Sequence, residues 1–280
     1  MNSVVPFTST QDLVTAVVGE LTPTERRIAE AVVSEPTLLA FGSVSDLAGR
    51  VGTSRPSIVR FATKLGFDGY TQLQEHVRSN LSRQLSSPGQ RIRSESDRDV
   101  PVRASIEESI ESVFDALEGD RLAQLVSPLV QARTIWILSG EPSLAGARAL
   151  YSGLAMVRPG VRLLEDHSYG TDLSDVERGD AAVVIDFMRY RRQIVAATRM
   201  LADAAVTIVA ITDGPLSPLI ELADVSSQIK VPAVGPFDSS IPVVALCELL
   251  VAQVTKELHE DATNRIDRIE ALWDRSEAFL

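Results

Sequence analysis

The apolar positions of this chain follow two rhythms. Up to about residue 85 they recur three and four apart, the spacing that paints one stripe along an α-helix; from residue 134 they come in short consecutive runs, the mark of strands buried on both faces. In the first part, Thr22-Pro23-Thr24-Glu25 reads as a capping box with proline at the first helical position. The helix that opens there carries Ile28, Ala29, Val32 and Val33 and closes at Glu35-Pro36. A short LLAF segment follows. Between Val44 and Leu65, VSDLAGRVGTSRPSIVRFATKL predicts two short crossed helices, with Leu47, Ala48 and Val51 facing Ile58, Phe61, Ala62 and Leu65. Gly52 falls where a chain leaving a helix most easily takes a positive φ. Thr53 or Ser54 is placed to accept the N–H groups opening the second helix, and Pro56 lies in its first turn, where a missing N–H costs little. A further helix near residues 70–84 turns Leu73, Val77 and Leu81 inward.

From Ser86 to Pro101 the chain is polar, charged and punctuated by proline and glycine, which predicts a linker. Next, Ile106, Ile110, Val113, Phe114 and Leu117 mark one amphipathic helix and Leu122, Leu125, Val126 and Leu129 another. The runs TIWILS (134–139), AAVVIDF (181–187), VTIVAIT (206–212) and SSQIKV (226–231) then alternate with helical stretches at 143–157, 191–204 and 239–258. The expected organisation is an all-α helix-turn-helix domain over residues 1–83, a linker over 84–102, an α/β domain with a doubly wound parallel sheet over 103–260, and a C-terminal helix over 261–280. Ile266, Ile269, Leu272 and Trp273 line one side of that last helix, suited to docking onto a neighbour.

A net charge of −11 argues against a nucleic-acid partner until it is divided along the chain. Residues 1–100 hold 11 basic and 11 acidic side chains, so the rest carries the whole deficit; from Ser43 to Arg83 six Arg or Lys face three Asp or Glu. The second crossed helix presents Arg55, Ser57, Arg60 and Lys64 on its polar face. A recognition helix enters the major groove with its opening residues nearest the base edges, so Ser54, Arg55 and Ser57 are candidates for readout of double-stranded DNA. Arg60 reads a base or a phosphate, and Lys64 and Arg78 neutralise phosphates. The competing account of Arg60 and Lys64 is a solvated face beside a hydrophobic stripe. Cys247 has no partner for a disulfide and sits in an apolar run as a small core residue. No run reaches a membrane span and the N-terminus lacks a secretory pattern, so the cytoplasm is the expected compartment. His76, His167 and His259 are too scattered to imply a metal, and no cofactor motif is present.

LTPTERRIAEAV, then VSDLAGRVGTSRPSIVRFATKLGFDGY, then AITDGPLSPLIELAD: in this order the chain resembles the RpiR-type family of bacterial transcriptional regulators, over most of residues 20–258. The resemblance implies an operator-binding first domain and a second, sugar-isomerase-like (SIS) domain that senses a metabolite, commonly a phosphosugar. It also implies self-assembly into dimers or tetramers through the SIS domains.

A doubly wound sheet binds ligands beyond the carboxyl ends of its strands. After the first strand, Gly140 and Ser143 precede a helix; Ser143 caps that helix, holds a ligand, or does both. The family's loop there is glycine-rich with a serine, whereas Glu141 and Pro142 make this one more rigid and acidic. After AAVVI the family carries a Ser-x-Ser-Gly phosphate loop, and this chain has Asp186-Phe187-Met188-Arg189. Either Arg189, Arg191 and Arg192 replace the cradle and the effector is anionic, or Asp186 marks a ligand bearing hydroxyls or an amine. In a third account the arginines are a solvated or interface face paired with acids. Ser239 and Ser240 line the pocket or cap the following helix. An isomerase would need an acid-base pair, and Glu165-Asp166-His167 is the compact cluster offering one. A non-regulatory assembly module is the remaining alternative.

Overall fold

The computed structural model describes residues 10–34, 36–85, 88–93, 102–164, 169–214 and 217–279, in two compact units, Met1–Ser87 and Pro88–Leu280. The first unit is helical throughout: α1 (Thr10–Val17), α2 (Pro23–Ser34), α3 (Pro36–Phe41), α4 (Val44–Val51), α5 (Arg55–Lys64) and α6 (Tyr70–Leu85). Local chemistry sets these boundaries. Glu25 accepts the Thr22 N–H at 2.8 Å while the Thr22 hydroxyl accepts the Glu25 N–H at 3.3 Å, which fixes the start of α2; that backbone bond holds the Glu25 carboxyl below its usual range. A second capping box, Ser43 with Asp46, opens α4, and Gly52 closes it in the left-handed conformation at φ 67°. Ile28, Val32, Leu39, Leu47, Ile58, Phe61 and Leu73 are buried together as the core.

In the second unit, α7 (Pro88–Arg93), α8 (Val102–Asp115) and α9 (Arg121–Gln131) lead into β1 (Ile135–Ser139), α10 (Leu144–Val157), β2 (Val161–Leu163) and α11 (Tyr169–Asp172). Then come β3 (Ala181–Ile185), α12 (Arg192–Asp203), β4 (Thr207–Thr212), β5 (Val225–Gln228), a small antiparallel hairpin of β6 (Ala233–Val234) and β7 (Phe237–Asp238), and α13 (Ile241–Arg275). The sheet is wholly parallel, in the order β2-β1-β3-β4-β5. Its strands alternate sides: Ile135, Ile137, Val183, Ile185, Val209 and Ile211 face α8, α9, α10 and α13, while Trp136, Leu138, Val184 and Ile208 face α12. Asp180 pins the amino end of the sheet by accepting from Trp136 Nε1 and the Thr134 and Glu177 amides; burial alone would raise its carboxyl, but these donors and Arg133 outweigh that and hold it low. Small residues bring α10 and α13 together. A Cβ on Gly146 would lie 2.4 Å from Val243, and one on Gly153 2.7 Å from Val251.

Several expectations need correction. The stretch expected as a linker holds α7, whose Arg91 is 9% exposed and donates to Asp238 at 2.6 Å. Phe114, expected on the buried stripe of α8, is 57% exposed, because the helix turns Ser109 and Val113 to the core instead. Residues 239–258 and 261–280 were expected as two helices, and α13 does break between them: His259 leaves helical geometry at φ 32° and divides Ile241–Arg275 into two helical arms. Beyond the kink, Ala262 is buried and Ile266 packs on this unit's own core. Cys247 is fully buried, which pushes its thiol up to about 12. Among the described residues no helix is long and apolar enough to cross a membrane, and no cluster of metal-ligating side chains occurs.

Candidate functional site

The exposed face of α5 is built from its first two turns. Ser54 takes the N-cap position in an extended conformation, φ −94° and ψ 151°, yet its hydroxyl does not cap the helix as the sequence led us to expect. It pairs with Ser57 Oγ at 2.9 Å, and Arg60 donates to the same Ser57 oxygen at 3.2 Å. Arg55, Ser54 and Arg60 are exposed, and no acidic residue stands in the first turn. The structure thus brings four candidates, Ser54, Arg55, Ser57 and Arg60, onto one polar surface. The other two are differently employed. Lys64 points back at the first helices, donating to the Glu20 carbonyl and pairing with Glu25 at 3.2 Å in a half-buried ion pair. Arg78 donates through Nε and Nη2 to the Ala40 carbonyl, at 3.0 and 2.8 Å, which satisfies an acceptor at the end of α3. Both cations are thus engaged within the unit.

In the second unit the strand order changes direction between β1 and β3, the position at which a doubly wound sheet opens a ligand crevice. The loops leaving those two strands meet there. Asp186, 3% exposed, lies against Gly140 so closely that a Cβ on the glycine would fall 2.3 Å from Asp186 Oδ1. Its Oδ1 accepts the Phe187 N–H at 3.1 Å and its Oδ2 the Arg191 N–H at 2.8 Å. Burial pushes this carboxyl up to about 6; the two amides and Arg191 pull against it, and Asp213 adds to it. Asp213, immediately past β4, accepts the Met188 N–H at 2.8 Å and the Tyr190 hydroxyl at 2.5 Å. Burial, then the proximity of Asp213, raises the Tyr190 phenol above its ordinary range.

The arginines expected to grip an anion are partly committed. Arg191 donates to Glu141 Oε2 at 2.7 Å, joining the two loops, whereas Arg189 is exposed with a left-handed backbone at φ 76°. Ser143 does not cap α10: its backbone sits at φ −94°, ψ −1°, and its buried hydroxyl has no hydrogen-bond partner. Ser239 is buried, and its hydroxyl accepts the Ile241 N–H at 3.3 Å; Ser240 takes the N-cap position of α13 without a side-chain bond. The Gly146–Val243 contact sets the opening turns of α10 and α13, which follow Ser143 and Ser240, side by side. Glu165-Asp166-His167 lies outside the described residues. Asp213 and Tyr190 were not anticipated, though Asp213 could have been found: it follows the end of β4 as Asp186 follows the end of β3.

Comparison with known proteins places both units. Residues 12–84 match the helix-turn-helix domain of the rpiR family and residues 144–253 the SIS domain. An HTH-type transcriptional regulator of Caldanaerobacter subterraneus subsp. tengcongensis is 26% identical over 268 residues, 91% of this chain and 94% of that protein. The HTH-type transcriptional regulator YbbH of Bacillus subtilis is 19% identical over 265 residues, 90% and 92% of the two chains. Among solved structures, the sugar isomerase domain of an RpiR transcription factor from Sphaerobacter thermophilus matches with a TM-score of 0.58 at 21% identity, over 62% of this chain and 99% of that one. The Vibrio vulnificus NanR protein, complexed with ManNAc-6P, matches with a TM-score of 0.55 at 16% identity, over 95% and 98%. The first shares the fold of the sheet-bearing part of this chain, and the second is similar in fold along nearly its whole length.

Proposed function

From the premise that this chain belongs to the rpiR family of helix-turn-helix transcriptional regulators, with a SIS domain following the DNA-binding domain, we propose that it binds operator DNA through α5 and changes its operator affinity when a small metabolite enters the SIS crevice. The observation that carries the first half is the polar surface of α5, where Arg55 and Arg60 flank the Ser54–Ser57 hydroxyl pair with no acid in the first turn. Arg55 and Ser57 reach base edges in the major groove, and Arg60 reaches a base or a phosphate. For the second half, support comes from the crevice at the switch point and from the likeness to a NanR protein complexed with a phosphosugar.

The working unit is a homo-oligomer, a dimer or a tetramer, whose readers meet successive major grooves about 34–36 Å apart. Ligand acts by favouring one spacing of the readers, and such coupling is typically about 1–3 kcal/mol. The chain is a sensor and not an isomerase in this reading. Purified protein should shift DNA from upstream of its own gene and not a scrambled fragment, and turn over no aldose or ketose phosphate. Equal affinity for both fragments overturns the proposal.

A further inference from the structure

An anion bound in the loop after β3 needs free backbone N–H groups, and in that loop those of Phe187, Met188 and Arg191 are taken. Asp186 holds the amides of Phe187 and Arg191, and Asp213 holds that of Met188. One guanidinium of this loop, that of Arg191, already serves Glu141. A phosphate entering here meets three carboxylates and must evict one that is wedged beneath Gly140. Asp213 is different: it is only half-buried, and a carboxylate offers about four lone-pair positions, so it keeps acceptor capacity for a ligand. A second, independent sign of a ligand is Ser143 Oγ, buried three residues beyond Gly140 and without a partner among the described residues.

Resting on the sensor reading above, we propose that this crevice selects an unphosphorylated sugar or amino sugar, held through hydroxyl or ammonium hydrogens donated to Asp213, and excludes phosphate because the protein's own carboxylates occupy the amides that would bind it. Asp186 is thus a specificity-determining residue: it fills from within the place an external anion would take. The raised proton affinity of Asp186 agrees with a buried carboxylate lacking a full complement of cationic partners.

The test is calorimetric titration of the full-length protein with free hexoses and hexosamines, each paired with its 6-phosphate, and with inorganic phosphate. Wild type is expected to bind the free member of at least one pair ten times or more tighter than its 6-phosphate, and to bind no inorganic phosphate. Asp186→Ser, which frees the two amides, should gain phosphate and 6-phosphate binding by at least tenfold. Asp186→Asn keeps the shape but its Nδ2 cannot accept an amide hydrogen, so it loses the charge and frees one of the two amides and should gain in the same direction by less than the serine variant, which guards against a folding defect there. Gain of phosphate binding in either variant supports the exclusion even where the panel lacks the natural sugar. Tighter wild-type binding of a 6-phosphate than of its free sugar overturns the ligand class and leaves the sensor reading standing. No binding by wild type or variants, with operator binding intact, overturns the sensor reading and the ligand class with it.

Discussion

At the opening of α5, Arg55 stands exposed, no carboxylate lies in the first turn, and the Ser54 hydroxyl turns to Ser57 rather than to the helix amides. At the opening of α12, Arg191 is tied to Glu141 and its own amide is taken by Asp186. Both are helix starts beside arginines, the arrangement that favours anions. One is left open to an outside partner, and at the other the protein's own acids hold the amide and the guanidinium of the N-cap residue. Whether a basic helix start recruits an anion therefore depends on which carboxylates the fold delivers to it, and those arrive from distant parts of the chain.

The contrast is broken most severely at α5. Replacing Arg55 and Arg60 together with alanine should cost roughly 2–6 kcal/mol of operator affinity if both read bases, since each base contact is worth about 1–3; fluorescence anisotropy reads the loss, and unchanged melting shows that the fold survives. Next is Gly140→Ala, whose methyl meets Asp186 Oδ1 and should destabilise the second unit by about 1–3 kcal/mol, as overpacking does. Combining it with Asp186→Ser should recover more than half of that loss in a double-mutant cycle.

A comparable effect is expected from pH. Asp186 has a folded-state pKa of about 6, above its unfolded value, so the native state takes up its proton first and the penalty of the buried charge is fully present only above pH 6. Wild type should therefore gain roughly 2 kcal/mol relative to Asp186→Asn as pH falls from 7.5 to about 4, read from paired denaturation curves. Smallest is Lys64→Met: with its ammonium engaged by Glu20 and Glu25, the variant should lose up to about 1 kcal/mol of stability and keep operator affinity within about twofold. A large affinity loss there would return Lys64 to the DNA-facing surface.

What the sequence disclosed follows the range of the forces involved. The start of α2, the positive φ of Gly52 and the consecutive apolar runs of β1, β3 and β4 are local signals, each written within a few residues, and the structure has all of them. The employment of Lys64 and Arg78 is not local: Glu25 and Ala40 lie 39 and 38 residues away along the chain. Ser143 was ambiguous for another reason. A serine caps a helix only from an extended backbone, and composition cannot report that Ser143 lies at ψ −1°. The hairpin of β6 and β7 escaped notice because strands of two residues are too short to show alternation. Within the crevice, Asp186 stood out as a departure from the family's loop, but its contact with Gly140 and its alliance with Asp213 come only from folding.

The two glycines of α10 have a mechanical corollary. Gly146 and Gly153 stand seven residues apart, about two helical turns, and each is pressed against a valine of α13. Fastened at two points along their length, these rods can neither slide past one another nor roll apart without collision. A signal received at their openings must either travel through the loops or swing the pair as a single lever, and past the bend at His259 the arm still follows α10, because Arg265 donates to the Ala155 carbonyl.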